Sequence, residues 1–209
     1  MKRGIKHDFT LLAIQLIPVG VAINVVGYQL STILKLPLFL DQIGTTLVAI
    51  IAGPWVGVVA GGLSNIVNGM LNPVAIAFFP VSMSVGLITG FLSRWKFYTN
   101  IFGIIFAFFA HNIIPSFVGS ISTIFVFGGV TGTGLDFITG AILASGKELF
   151  YSVFSSNLLS GILTSGVTIA ISLLIIKSIP PRFLTKMKYG YPYIRKGAVS
   201  RSPKGGLQT

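Results

Sequence analysis

Apolar runs longer than the roughly 18 to 20 residues needed to cross a bilayer recur along this chain. The first extends from about Phe9 to Leu34, and another from about residue 100 to 127. Charged residues make up only 9% of the 209 residues, against about a quarter in an ordinary soluble domain. The mean hydropathy is +0.88. Together these features require an integral membrane protein. The net charge of +11 raises nucleic acid as a partner, but the basic residues gather at the ends and in short connections, as in cytoplasmic loops. No nucleic-acid partner is expected. Cysteine is absent, which excludes disulfides, thiol nucleophiles and zinc–thiolate sites. Lys2, Arg3 and Lys6 precede an apolar run too long for a signal-peptide core, so the run reads as an uncleaved first helix.

The expected fold class is an all-α integral membrane protein with six transmembrane helices and both termini cytoplasmic. The crossings fall at about 9–34, 38–53, 54–72, 74–93, 100–127 and 149–177. Gly53-Pro54 marks a tight reversal, since glycine follows helix ends and proline opens the next helix. The last 32 residues, from Ser178, hold seven Lys/Arg and no acid. With the amino terminus inside, six crossings keep Arg94, Lys96 and that basic tail inside as well. The expected organisation is a membrane domain over 1–178 and a basic cytoplasmic tail over 179–209, located in the cell membrane. The glycine-rich segment from about 128 to 146 reads as an outer loop with a short helix.

That topology sorts the polar residues by depth. Asn24, Tyr28 and Gln29 fall in the outer half of the first helix, and Asn65, Asn68 and Asn72 in that of the third. Asn112 and Ser116 lie on the fifth helix, Tyr151 and Asn157 on the sixth. The asymmetry predicts a hydrated pocket open to the outside, with Asp41, Asn65, Asn68, Asn72, Asn112, Ser116, Tyr151 and Asn157 as substrate-binding candidates. Asn65, Asn68 and Asn72 share one helical face by their spacing, and Gly57 and Gly61 continue that stripe inward, permitting close helix approach. The amides could also serve simply to bind helices together. Asp41 lies 13 residues before Gly53 counting both ends, roughly 20 Å along a helix and so below the outer surface. It is either a functional carboxylate or an N-cap for the second helix. His111 has no second histidine or carboxylate at ligand spacing, so no metal and no cofactor are expected. The aromatic residues Phe78, Phe79, Phe106, Phe108 and Phe109 read as lipid-facing or packing surface. No phosphate-binding loop, zincin or serine-hydrolase motif is present, so the chain has no visible energy source.

Asp41, Ile43-Gly44 and the run "AGPWVGVVAGGLSN" (Ala52–Asn65), after a long first helix and a short outer loop, resemble the substrate-binding (S) components of energy-coupling factor transporters. That family imports vitamins and related micronutrients into prokaryotes through six helices and about 200 residues. The resemblance implies a vitamin-like small-molecule substrate, a transmembrane coupling subunit and two ATPase subunits as partners, and no enzymatic activity in this chain. It also implies that the loop from Leu36 to Gln42, with Leu38, Phe39 and Leu40, closes the pocket as a lid. Members often carry Ala-x-x-x-Ala on the first helix for docking. Here the nearest pattern is Pro18-x-x-x-Ala22, overlapped by Gly20-x-x-x-Asn24, and the docking surface is expected around Pro18, Ala22, Gly57 and Gly61.

Two other classes compete. A stand-alone facilitator or ion-coupled secondary transporter needs no partner, but usually shows internal repeats and broken helices; "SNIVNG" at 64–69 and "SNLLSG" at 156–161 are the nearest to a repeat. A lipid-directed membrane enzyme would draw on Asp136, Lys147 and Glu148.

Overall fold

The computed structural model describes residues 7–194, and among these every regular element is helical. In chain order the helices are α1 (Leu11–Ile33), α2 (Ile43–Ala52), α3 (Pro54–Leu71), α4 (Val74–Ala77), α5 (Phe79–Arg94), α6 (Ile101–Phe127), α7 (Asp136–Ala144), α8 (Leu149–Ser178) and α9 (Pro181–Leu184). Three of them, α1, α6 and α8, are long and apolar enough to cross a membrane. Local chemistry sets their ends. Thr10 accepts from the Ala13 amide to start α1, and Asn100 accepts from the Gly103 amide to start α6, both ordinary N-caps. Gly128, at φ +64°, closes α6. Gly53, at φ +102°, makes the reversal between α2 and α3, a backbone state that favours glycine.

α2 is the hub. All ten of its residues are buried, and it packs against α1, α3, α5 and α8. Close approach is built in by glycine: a Cβ at Gly44 of α2 would strike the Gly20 carbonyl of α1. On α3, a Cβ at Gly57 would meet Ala49 of α2 and the Gly86 carbonyl of α5, and one at Gly61 would meet the Ser82 carbonyl. The small-residue stripe of α3 is therefore covered by this chain's own helices.

The bundle mixes polar with apolar residues inside and carries large apolar side chains outside. Asn24, Thr45, Thr46, Ser64, Asn65, Asn68, His111, Ser120, Ser156 and Ser172 are buried, while Phe102, Phe106, Phe109 and Phe125 on α6 are exposed. An apolar outside around an interior that pairs its polar groups is compatible with embedding in lipid.

The end of the bundle at the α2–α3 reversal is tied by Asp8, which is buried. Its carboxylate accepts from Arg94 at 2.7 Å, from the Tyr189 hydroxyl at 2.9 Å and from the Trp55 amide at 3.4 Å. Burial and the adjacent Asp8 carboxylate hold the Tyr189 hydroxyl above its ordinary range, which keeps it a donor. The segment after Ser178, assigned to the tail from sequence, packs back onto this end through Leu184, Met187 and Tyr189, all buried. Arg195, Lys196, Arg201 and Lys204 lie outside the described residues.

Candidate binding cavity

At the opposite end, the loop over residues 34–42 folds across the tops of the helices. Hydroxyls of α8 and α1 hold it down. The Phe39 amide donates to Thr164 Oγ1 at 3.0 Å, Ser160 donates to the Pro37 carbonyl at 2.7 Å, and the Leu40 amide donates to Ser31 Oγ at 3.2 Å. The loop between α6 and α7 abuts it, since a Cβ at Gly134 would meet the Lys35 carbonyl.

Beneath lies a cavity. Its volume is ≈ 70 Å³. That is well below the about 300–1,000 Å³ of most small-molecule sites, so a ring-sized ligand enters only if the loop or the side chains around the cavity shift. From the loop come Phe39, Asp41 and Gln42. α3 and α5 supply Asn65, Val81 and Ser82; α6 supplies His111, Asn112, Pro115 and Ser116. α8 contributes Asn157, Thr164 and Ser165, and the walls are completed by Tyr28, Phe78 and Thr133.

Most of these polar groups are pre-set by their neighbours. Asn65 donates to Ser82 Oγ at 3.0 Å, and Asn157 to Ser120 Oγ at 2.9 Å. His111 bridges two helices, with Nε2 3.2 Å from Thr46 Oγ1 and Nδ1 3.1 Å from Ser165 Oγ. α6 runs through Pro115 as one helix, and Pro115 itself faces the cavity. A wall of mixed amides, hydroxyls and aromatic faces suits a ring-bearing ligand with several hydrogen-bonding edges.

Of the residues singled out from sequence, Asp41, Asn65, Asn112, Ser116, Asn157 and Phe39 meet at this cavity. Asn68, Asn72, Tyr151, Leu38 and Leu40 do not line it. Asn68 is fully buried elsewhere, and both polar atoms of its amide lack a partner among the described residues. Asn72 lies past the end of α3, in extended backbone, where its side chain accepts from the Val74 amide. The expected three-residue face is broken because the helix stops one residue before Asn72. Tyr151 is exposed, with Lys147 over its ring. Pro18 and Ala22 are exposed on α1, whereas Gly57 and Gly61 are buried. Phe78, read as packing surface, faces the cavity instead. Tyr28, Ser82, Thr133, Thr164 and Ser165 join without having been singled out as binding residues.

The N-cap role considered for Asp41 goes elsewhere. Gln42 precedes α2 without a side-chain cap, and Asn24 of α1 reaches across to do the work. Its Oδ1 accepts from the amides of Gly44 at 2.7 Å and Thr45 at 3.3 Å. Its Nδ2 donates to Thr45 Oγ1 at 2.7 Å and Ser64 Oγ at 2.8 Å. Nor do Asp136, Lys147 and Glu148 converge on a reaction centre. Asp136 accepts from the Thr131 and Gly132 amides of its own loop, and Lys147 and Glu148 are exposed. Among the described residues no group of three or more metal-binding side chains occurs.

No family model matches the chain, and no curated protein or solved structure matches it.

Proposed function

We propose that the chain is the substrate-binding component of an ATP-driven importer of the energy-coupling factor type, taking up a vitamin or related micronutrient at the cell membrane. In this reading it crosses the membrane six times, with both ends in the cytoplasm and the cavity facing out. The three long apolar helices are three of the crossings, and the shorter α2, α3 and α5 are the others. The basic residues at Arg94, Lys96 and after Ser178 then fall on the inner side.

The observation that carries the proposal is the cavity roofed by the 34–42 loop, whose backbone is held by hydroxyls of α8. A roofed pocket at one end, over a bundle knitted shut at the other by Asp8, Arg94 and Tyr189, suits capture rather than through-passage. Release inward then calls for work from outside the chain, which is what a coupling subunit and two ATPases supply. Pro18 and Ala22, on the exposed side of α1, are the docking positions that remain on a surface.

Purification of the protein and mass spectrometry of the small molecule it retains identifies the substrate. In liposomes the protein alone should bind that molecule without accumulating it. Adding the coupling subunit and both ATPases should yield uptake that depends on ATP hydrolysis. Concentrative uptake by the isolated protein under an ion gradient would establish a secondary transporter instead.

A further inference from the structure

The cavity is electrically one-sided. Its lining has a single carboxylate, Asp41, and no lysine or arginine. Its histidine has both ring nitrogens engaged with the hydroxyls of Thr46 and Ser165. No other described residue donates a hydrogen bond to the Asp41 carboxylate, and the ion pairs among the described residues involve Asp8, not Asp41. The other two carboxylates that are not exposed are both satisfied. Asp8 has Arg94 and Tyr189, and Asp136 has the amides of Thr131 and Gly132. A partly buried carboxylate without a partner is costly. The one such group in the described chain is the one that faces the cavity.

Three aromatic side chains share the cavity with it. Phe39 precedes Asp41 by two residues on the same loop, and Tyr28 and Phe78 enter from α1 and from the junction of α4 and α5. Aromatic faces attract cations through their negative π surfaces, and rings that share a cavity with a carboxylate offer a seat for an organic ammonium or a charged heteroaromatic ring. The Gln42 amide and the Nδ2 of Asn112, whose Oδ1 accepts from Ser116 at 3.3 Å, line the same space and can meet polar edges.

We infer that the cavity selects a small organic cation with a flat, hydrogen-bonding ring, its positive charge paired with Asp41. This names the substrate class of the importer reading and rests on it only for the cavity's role in uptake. A bare metal ion is a poor occupant: a hard cation calls for about six or more oxygen ligands, the cavity offers one carboxylate, and the oxygens of Ser82, Asn112, Thr164 and Ser165 already take part in hydrogen bonds within the chain. A proton or a sodium ion would leave the aromatic walls without a task.

The test uses the full chain in detergent and three probes of nearly one shape: the N-methylnicotinamide cation, neutral nicotinamide and anionic nicotinate. Calorimetry should rank the cation first by at least tenfold and the anion last. Asp41→Asn should abolish the cation's advantage, and Asp41→Glu, which keeps the charge, should retain it. Melting curves without probe establish that both variants are folded; an Asp41→Asn protein that does not fold leaves the wild-type ranking and the Asp41→Glu result to decide. Equal affinities, a neutral or anionic preference, or an advantage that survives in folded Asp41→Asn overturns the inference. ATP-independent uptake would sink the importer reading while leaving a measured cation preference intact. ATP-dependent uptake of a compound with no such preference would sink this inference alone.

Discussion

Asn24 satisfies the first amides of a helix to which it does not belong, and through Ser64 it ties that helix to a third. Replacing it by leucine should destabilise the fold by about 1–3 kcal/mol, because donors at the start of α2 lose their acceptor in a buried setting. Thermal melting in detergent reads this directly. Asn68 makes the opposite case: an amide buried without a described partner carries a desolvation cost of about 1–3 kcal/mol. Asn68→Leu should therefore raise the melting temperature and leave ligand affinity unchanged; a drop in either would reveal a partner. Depth along a helix was enough to pick out Asp41, Asn65, Asn112, Ser116 and Asn157 from sequence. Which way a side chain turns at that depth was not legible, and Asn68 and Tyr151 sit at the expected level facing elsewhere. Nor could Asn24 be recognised as a cap, since its role depends on α1 and α2 crossing at Gly20 and Gly44, a contact between segments that no local pattern records.

Helix ends were legible where capping is local. Asn100 opens α6, Gly53-Pro54 splits α2 from α3, and the glycine-rich stretch yields only the nine-residue α7. Within the run read as one crossing from about 38 to 53, the regular helix is the ten-residue α2, and the loop before it has its backbone met by hydroxyls of α1 and α8 distant in sequence. That latch can be loosened. Ser160→Ala removes the donor to the Pro37 carbonyl from a side chain outside the cavity lining. Losing a hydrogen bond of about 0.5–1.5 kcal/mol should speed ligand dissociation by roughly two- to tenfold, with association little changed. Stopped-flow or filter-binding kinetics would show whether the loop governs exit. The α3 stripe gives a second contrast. Gly57→Leu should disrupt folding, because its side chain would have to displace Ala49 and the Gly86 backbone, an overpacking cost of about 1–3 kcal/mol or more. Ala22→Leu, on an exposed face, should melt normally and bind ligand; if it alone blocks coupled uptake, α1 is the docking surface.

At the scale of the molecule, the two ends of the bundle are built differently. One is closed by a loop held through single hydrogen bonds, the other by a buried ion pair to which the chain's later residues return. Asp8→Asn should cost about 3–5 kcal/mol, since it strands the Arg94 charge where water is scarce. A chain ending at Ile194 should keep the full melting temperature. One ending at Ser178 should fall well below it, losing Leu184, Met187 and Tyr189 from the core at roughly 1.5–3 kcal/mol each.

The brevity of α2 has a consequence for how such a chain is made. Ten residues of helix reach about 15 Å, half the thickness of the hydrocarbon core. On its own in lipid, this segment would drag the unsatisfied backbone of the 34–42 loop in with it, at several kcal/mol for each open group. In a bilayer, α2 is therefore no independent unit. It depends on Asn24 of α1 for its first amides and on the glycine stripe of α3 for close packing. Gly53, at φ +102°, makes the reversal that folds α3 back against α2, so the hub takes shape only as a set of three helices.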